Sequence, residues 1–415
     1  MKSCLNQFLF LFLVKEKKGG HSLAVGGTRW VGYYGIVLFG IVSLLADIVY
    51  EGGRSVVPEF LRFLGASAAV VGLVTGLGEL VGYALRFPSG FLADHSGRYW
   101  FFLVLGYAFI LFIPALALTE GWGLAALFVF AERIGKALRA PSRDAAISLV
   151  AKDVGIGRAF GIHELLDQVG AVLGPILVSA AIFFSMSNFH FAFLILVVPA
   201  VAALLVLYVA YIKLRGYVNV EARSLTVAAS LRKLDKRFWT YNLVAALSVV
   251  GFLHYSLIAY RAGGAIDPWI VPLLFAAAMG IDALIAVALG FAYDRFKLKI
   301  FWLILLVSAL PAIFAVKGNA VMLSIAILMY GVGMGAQESI YRSVVADLSP
   351  LEMRATAYGV FNTIYGLAWF IGGFTMGFMY DLGEGIGPWL VASFCVVCQL
   401  TAALFLALLL RSLKS

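Results

Sequence analysis

A chain of 415 residues that is 63% hydrophobic and only 13% charged, with a mean hydropathy of +0.98, is not an ordinary soluble domain. Soluble domains run to about 45–50% apolar and about 25% charged residues. The net charge of +9 and the pI near 9.4 sit on connections between apolar runs. They therefore report topology and attraction to anionic lipid, and no nucleic-acid partner is expected.

Residues 1–28 open with "MKSCLNQFLFLFLVKEKK". Lys2 and a short apolar run imitate a signal peptide, but no small-residue cleavage site follows, so this segment is expected to be a cytoplasmic tail or a stretch ahead of the true start. Beyond it come runs such as "YYGIVLFGIVSLLADIVY", "FFLVLGYAFILFIPALALT", "FAFLILVVPAVAALLVLYVAYI" and "LVASFCVVCQLTAALFLALLL". Each is long enough to cross a hydrocarbon core of about 30 Å as a helix. Their length and their Leu, Ala and Phe content argue against barrel strands of about ten alternating residues.

Twelve apolar spans, centred near residues 40, 80, 109, 133, 171, 201, 250, 281, 307, 331, 368 and 399, predict an all-α integral membrane protein with twelve transmembrane helices. Lys15, Lys17, Lys18 and Arg29, then Arg98, Lys152 and Arg158, the stretch Lys213 to Arg237, Arg295, Lys297 and Lys299, Arg354, Arg411 and Lys414 all fall on one side when the helices alternate. That asymmetry places both termini in the cytoplasm, with the chain multi-pass in the cell membrane. Cys395 and Cys398 form a C-x-x-C inside the last span and read as small buried hydrophobes, as free cysteines do in apolar surroundings; Cys4 lies in the tail.

One long polar connection, Lys213 to Phe238, separates the sixth span from the seventh. The expected organisation is a six-helix bundle over 29–213, a cytoplasmic linker over 214–237, a second six-helix bundle over 238–411 and a tail over 412–415. The halves repeat each other. "GFLADHSGRYWFF" from Gly90 and "GFAYDRFKLKIFW" from Gly290 lie 200 residues apart, and "RAFGIHELLDQVGAVLGP" matches "TAYGVFNTIYGLAWFIGG" 198 residues on, pairing Gly161 with Gly359 and Gly174 with Gly372. Two repeats joined by a basic linker are a transporter architecture, with substrate between the halves near the midplane.

"GFLADHSGR", Gly90 to Arg98, resembles the loop signature between the second and third helices of the major facilitator superfamily, G-x-L-a-D-r-x-G-r, and both copies stand where that family has them. The resemblance implies two pseudo-symmetric six-helix bundles over nearly the whole chain, about residues 30 to 411. In physical terms, Gly90 and Gly97 permit close helix approach and a tight reversal, Asp94 can accept hydrogen bonds from a facing helix N-terminus, and Arg98 can pair across the bundle, which together would latch one face. The second copy keeps Gly290 and Asp294 but has Lys297 where Gly97 stands. In the fifth span Gly161, Gly170 and Gly174-Pro175 resemble the G-x8-G-x3-G-P-x2-G-G motif of drug/proton antiporters in that family, without its terminal Gly-Gly, since Val178 and Ser179 stand there. Small residues there let two helices approach, and Pro175 bends the helix.

The fourth span carries "ERIGKALRAPSRDAA". At about 100° per residue Glu132, Lys136, Arg139 and Arg143 share one stripe, and Arg133 adds a fifth charge. Facing lipid, four such charges would cost roughly 10 kcal/mol or more, so the stripe is expected to face protein or water. Asp47, Glu51 and Arg54 repeat the period in the first span, His254 and Arg261 in the seventh, Glu338 and Arg342 in the tenth. The resemblance implies that these helices line a central cavity. Arg133, Lys136, Arg139, Arg143, His254, Glu338 and Arg342 are the candidate cavity residues. Asp47, Glu51, Glu79, Glu132, Glu164 and Asp167 are candidate proton carriers, because burial and a nearby cation act in opposite directions on a carboxylate's proton affinity; the same charges could instead hold the bundle together.

Fourth and fifth spans form a hairpin, which places Arg139 level with Glu164 and Lys136 level with Asp167. His163 and Asp167 are too few for a metal site. No nucleophile–base pair or nucleotide loop is present, so neither an enzyme nor a cofactor is expected. Three functions compete: proton-coupled export of a small amphipathic solute, proton-coupled uptake of an organic anion, and a non-transporting membrane sensor. The expected partners of a carrier are a small-molecule substrate, protons and the lipid bilayer, with the monomer as the working unit.

Overall fold

The computed structural model describes residues 24–151, 154–218, 234–349 and 354–412. Twelve helical passes fill them. They are α1 (Ala24–Phe63), α2 (Ala68–Ser96), α3 (Tyr99–Leu118), α4 (Trp122–Val150), α5 (Ile156–Phe184), α6 (Phe189–Leu214), α7 (Lys236–Ala262), α8 (Ile270–Phe296), α9 (Phe301–Ala315), α10 (Ala320–Val345), α11 (Arg354–Asp381) and α12 (Gly387–Ser412).

Among the described residues nine stretches are long and apolar enough to cross a membrane, and one of these, Ile270–Ala315, holds both α8 and α9. The passes that fall short do so for a reason. Every 18-residue stretch of α4 holds at least four charged residues, and α11 dilutes its apolar residues with Gly, Asn, Thr and Tyr. Both are held by their neighbours: α11 packs along α2, and α4 lies against α3, α2 and α1.

The apolar side chains form two separate cores. One gathers residues from Ile36 to Val218; the other gathers Leu234 to Leu409 and takes in Ala68 from the first half. Each half is thus a folded bundle in its own right, and the halves meet through α2 on α11 and α5 on α8. The repeat is visible in the packing. Gly174 of α5 presses on the backbone of α1 at Ile48 and Gly52, and Gly372 of α11 presses on the backbone of α7 at Val250, which is Gly52 moved along by the 198-residue offset. Gly161 meets nothing within 4 Å, so only Gly170 and Gly174 serve the close approach expected of the motif.

The paired loops also correspond. Gly90 faces Pro141 of α4 and Gly290 faces Ser339 of α10, each with 3.2 Å to an added Cβ. Gly97 turns the first loop with φ of 66°, and Lys297 occupies the matching turn with φ of 50°, a left-handed position unusual for a residue with a side chain. The contacts expected of a latch at the first loop are not the ones made there. Asp94 accepts a 2.5 Å hydrogen bond from the hydroxyl of nearby Tyr99, and Arg98 is exposed with no ion pair among the described residues. In the second loop Asp294 is exposed, while Asp347, just past α10, accepts from the Tyr293 hydroxyl at 2.9 Å and pairs with Lys297 at 3.4 Å.

The two halves are tied at the end opposite these basic loops. Asp381, at the end of α11, accepts hydrogen bonds from Ala68 N and Ala69 N in the first turn of α2, both at 2.9 Å. Tyr255 of α7 donates to the Ser55 carbonyl of α1 at 2.6 Å, and Ser179 of α5 donates to the Trp269 carbonyl ahead of α8 at 2.6 Å.

Candidate functional site

Inside those ties lies a cavity of about 560 Å³ between the halves. The first half supplies Tyr50 and Arg54 of α1, Thr75 and Glu79 of α2, and Glu132 and Arg133 of α4; the second supplies His254 and Tyr255 of α7, Tyr330 of α10 and Trp369 of α11. The helices expected from the polar stripes are all represented. α2 and α11 also contribute, which periodicity alone did not indicate.

A chain of alternating charges runs along the wall. Glu51 pairs with Arg54 at 3.4 Å, Arg54 lies 3.9 Å from Glu79, and Glu79 pairs with Arg133 at 3.1 Å. Arg133 donates to the Tyr50 hydroxyl, and the Lys136 ammonium stands 3.5 Å over the centre of the same ring. Arg54 crosses to the other half, where its Nη2 donates to the Tyr330 hydroxyl at 3.1 Å. One break in the backbone shapes the opposite wall. α7 is interrupted from Gly251 to His254, and the His254 ring lies against Trp369 with centroids 3.9 Å apart.

The stripe on α4 does not act as one unit, and this corrects the reading from spacing. Arg139 turns away from the cavity. It pairs with Glu132 at 2.9 Å, donates to the Gly106 carbonyl of α3 at 3.2 Å and lies over the Tyr107 ring. The close approach of Gly106 and Gly135 brings that carbonyl within reach. Arg143 reaches Ser43 of α1 at 3.1 Å, Asp144 at 3.0 Å and Asp167 of α5 at 3.7 Å.

The hairpin pairing is likewise displaced, by about two turns of α4 at Asp167. Asp167 meets Arg143 and His163, the latter at 3.4 Å, and not Lys136; Arg139 meets Glu132 and not Glu164. Lys136 and Arg143 lie on the same face of α4, so the difference lies along the helix axes, which counting from the loop does not specify. Lys136 instead lies within electrostatic reach of Asp47 and Glu51.

Near the basic end, Glu164, Glu338 and Arg342 are exposed, and they bear on one another across the halves. Glu338 and Arg342 face a smaller cavity of about 270 Å³ lined also by Tyr83, Gln337, Asn362 and Tyr365. There α10 switches to a π-helical turn over Gln337–Tyr341, a feature concentrated at functional sites. Among the described residues no three His, Cys, Asp or Glu side chains gather as a metal site. Cys395 and Cys398 are buried free thiols, and the Cys395 sulfur touches the Met376 sulfur at 3.5 Å.

Several site residues carry no signal in spacing. Tyr50, Tyr330 and Trp369 are aromatic residues in apolar runs and look like core from sequence. Glu59 and Asp282 could have been found, because each is a carboxylate inside an apolar span, which marks a functional candidate by itself. Glu59 is 4% and Asp282 3% exposed.

Two pseudo-repeated six-helix bundles around a charged and aromatic cavity define a membrane transporter rather than an enzyme. The sequence model of the Major Facilitator Superfamily matches residues 39–373 and 265–414, and the chain belongs to that superfamily. It is 38% identical to an uncharacterized protein of Mycobacterium tuberculosis, over 84% of this chain and 87% of the relative. It is 27% identical to an uncharacterized MFS-type transporter of Methanocaldococcus jannaschii (80% and 85%), and 23% identical to the multidrug resistance protein MdtH of Proteus mirabilis (87% and 91%). A crystal structure of a peptide transporter, POT, in complex with sulfate shares the fold with a TM-score of 0.74 at 14% identity, over 91% of this chain and 94% of that one.

Proposed function

We propose that this transporter exports a small amphipathic solute in exchange for protons, as a monomer in the cell membrane with both termini in the cytoplasm. The observation that carries the reading is Glu79, a cavity carboxylate shared by Arg54 and Arg133 while Arg54 also holds Tyr330 of the other half. Protonating Glu79 removes a counter-charge from both arginines, and Arg54 is then freer to leave Tyr330. A proton on one side chain would in this way bias the contact between halves, which is what coupled alternating access requires.

The walls suit an amphipathic guest: Tyr50, Tyr255, Tyr330 and Trp369 offer apolar faces with polar edges, and the arginines and carboxylates offer orientation. The drug-resistance name of one relative supports export. Uptake of an organic anion would draw on Lys136, Arg139 and Arg143, but Arg139 and Arg143 are already matched by carboxylates and Lys136 lies on the Tyr50 ring near Asp47 and Glu51. A sensor would not need a chain of charges lining a cavity between two halves.

The test is a panel of candidate solutes in proteoliposomes with a trapped pH dye. Solute-dependent proton movement opposite in direction to the solute is expected, and Glu79→Gln should lose gradient-driven accumulation while still exchanging solute. Accumulation by Glu79→Gln equal to the parent's would remove Glu79 from the coupling, and no proton movement with any transported solute would remove the coupling itself.

A further inference from the structure

Asp282 belongs to none of the networks above. It sits midway along α8, 3% exposed, with its Oδ1 buried and without a hydrogen-bond partner, and it forms no ion pair among the described residues. Its place is a seam between two backbones. Gly331 of α10 presses on the carbonyl of Ala278 and Gly335 on that of Asp282, and a Cβ at Gly335 would also lie 3.1 Å from Asp282 Oδ1. Directly after that contact α10 enters its π-helical turn, which displays Glu338 into the water-accessible end of the bundle.

The groups that bear on Asp282 are the carboxylates of Glu338, Glu51 and Glu164, the guanidinium of Arg54 and the hydroxyl of Tyr330. None of them bonds to it. An ionised carboxylate in such a site would be desolvated, unpaired and facing mostly negative neighbours, which is costly for a charge away from water.

We propose that Asp282 is a second proton-exchanging carboxyl, housed in the C-terminal half and separate from Glu79. This rests on the proton-exchange reading of the transporter. In the present conformation the carboxyl holds its proton because the Gly331–Gly335 seam closes over it. When α8 and α10 shift against each other the seam loosens, the carboxyl loses H⁺ to water in the cleft beside Glu338, and the carboxylate that remains is hydrated or paired with Arg54. The step is a proton transfer to water and back, with no other bond made or broken.

Infrared spectroscopy of the purified full-length transporter tests this without any solute. The parent at neutral pH should show the carbonyl stretch of a protonated carboxyl that disappears reversibly as pH is raised. Asp282→Asn should lack that band, Glu79→Gln should retain it, and Asp282→Glu, which keeps an acid at the position if the amide misfolds, should show it displaced. An identical band in parent and Asp282→Asn overturns the proposal, as does a band that never titrates, because the acid would then be a static structural group. The dye assay in proteoliposomes separates the two readings: intact solute-driven proton movement with no Asp282 band counts against Asp282 alone. No proton movement with an intact, titrating band counts against proton exchange and leaves Asp282 a proton site.

Discussion

Glu132 and Arg139 form the most deeply buried ion pair among the described residues, with side chains 1% and 4% exposed. Removing one member strands the other charge away from water, at a cost of about 3–5 kcal/mol in comparable buried pairs. Glu132→Gln should therefore lower the stability of the detergent-purified transporter by that order. The double variant Glu132→Leu with Arg139→Met should recover most of the loss, since both charges leave together. A double-mutant cycle read by thermal unfolding checks it, and additive losses would mean that the two side chains act separately. The Lys297–Asp347 pair on the surface, 60% and 48% exposed, is the contrasting case, worth about 0–1 kcal/mol.

Helix against helix, the outcome turns on where each glycine points. Gly174 faces backbone atoms of Ile48 and Gly52, which cannot swing aside, whereas Gly161 meets nothing within 4 Å. Gly174→Ala should cost about 1–3 kcal/mol by overpacking the α1–α5 contact. Gly161→Ala should be neutral or stabilising by up to about 1 kcal/mol, because alanine is the better helix former. Melting curves of the two variants check the contrast, and equal losses would show that the motif acts through something other than close packing. The motif resembling that of drug/proton antiporters thus divides into a packing part at Gly170 to Pro175 and an open position at Gly161.

For the whole molecule, the ties between halves collect at the end away from the basic loops, while the exposed Glu164, Glu338 and Arg342 stand toward the basic end. The end away from the basic loops is thus held by hydrogen bonds between the halves, and the other presents charged side chains to water. Asp381 is the charged member of the closure and caps the start of α2 from the opposite half, the position where a carboxylate is favoured by free N–H groups and the helix dipole. Asp381→Ala should remove about 0.5–2 kcal/mol from the closed state, up to roughly a thirtyfold shift toward opening at that end. A cysteine placed in the cavity, Thr75→Cys, reports it through labelling by a membrane-impermeant thiol reagent applied from the Asp381 side. Unchanged labelling would remove Asp381 from the closure.

Hydropathy and the repeat were enough to specify the architecture, because the cost of exposing polar groups to lipid is paid residue by residue along the chain. Even α4 was legible in this way, since its charges demanded a protein or water environment wherever they pointed. The partners of those charges were not legible. Whether Arg143 or Lys136 meets Asp167 depends on the placement of each helix along its axis, and whether Arg139 faces the cavity or α3 depends on helix rotation. That rotation is set by contacts between residues far apart in sequence, such as Gly106 with Gly135 and Gly174 with Gly52. The same holds for Tyr50, Tyr330 and Trp369, which resemble core residues until two halves close around them, and for Asp282, whose isolation exists only because α10 lies over it.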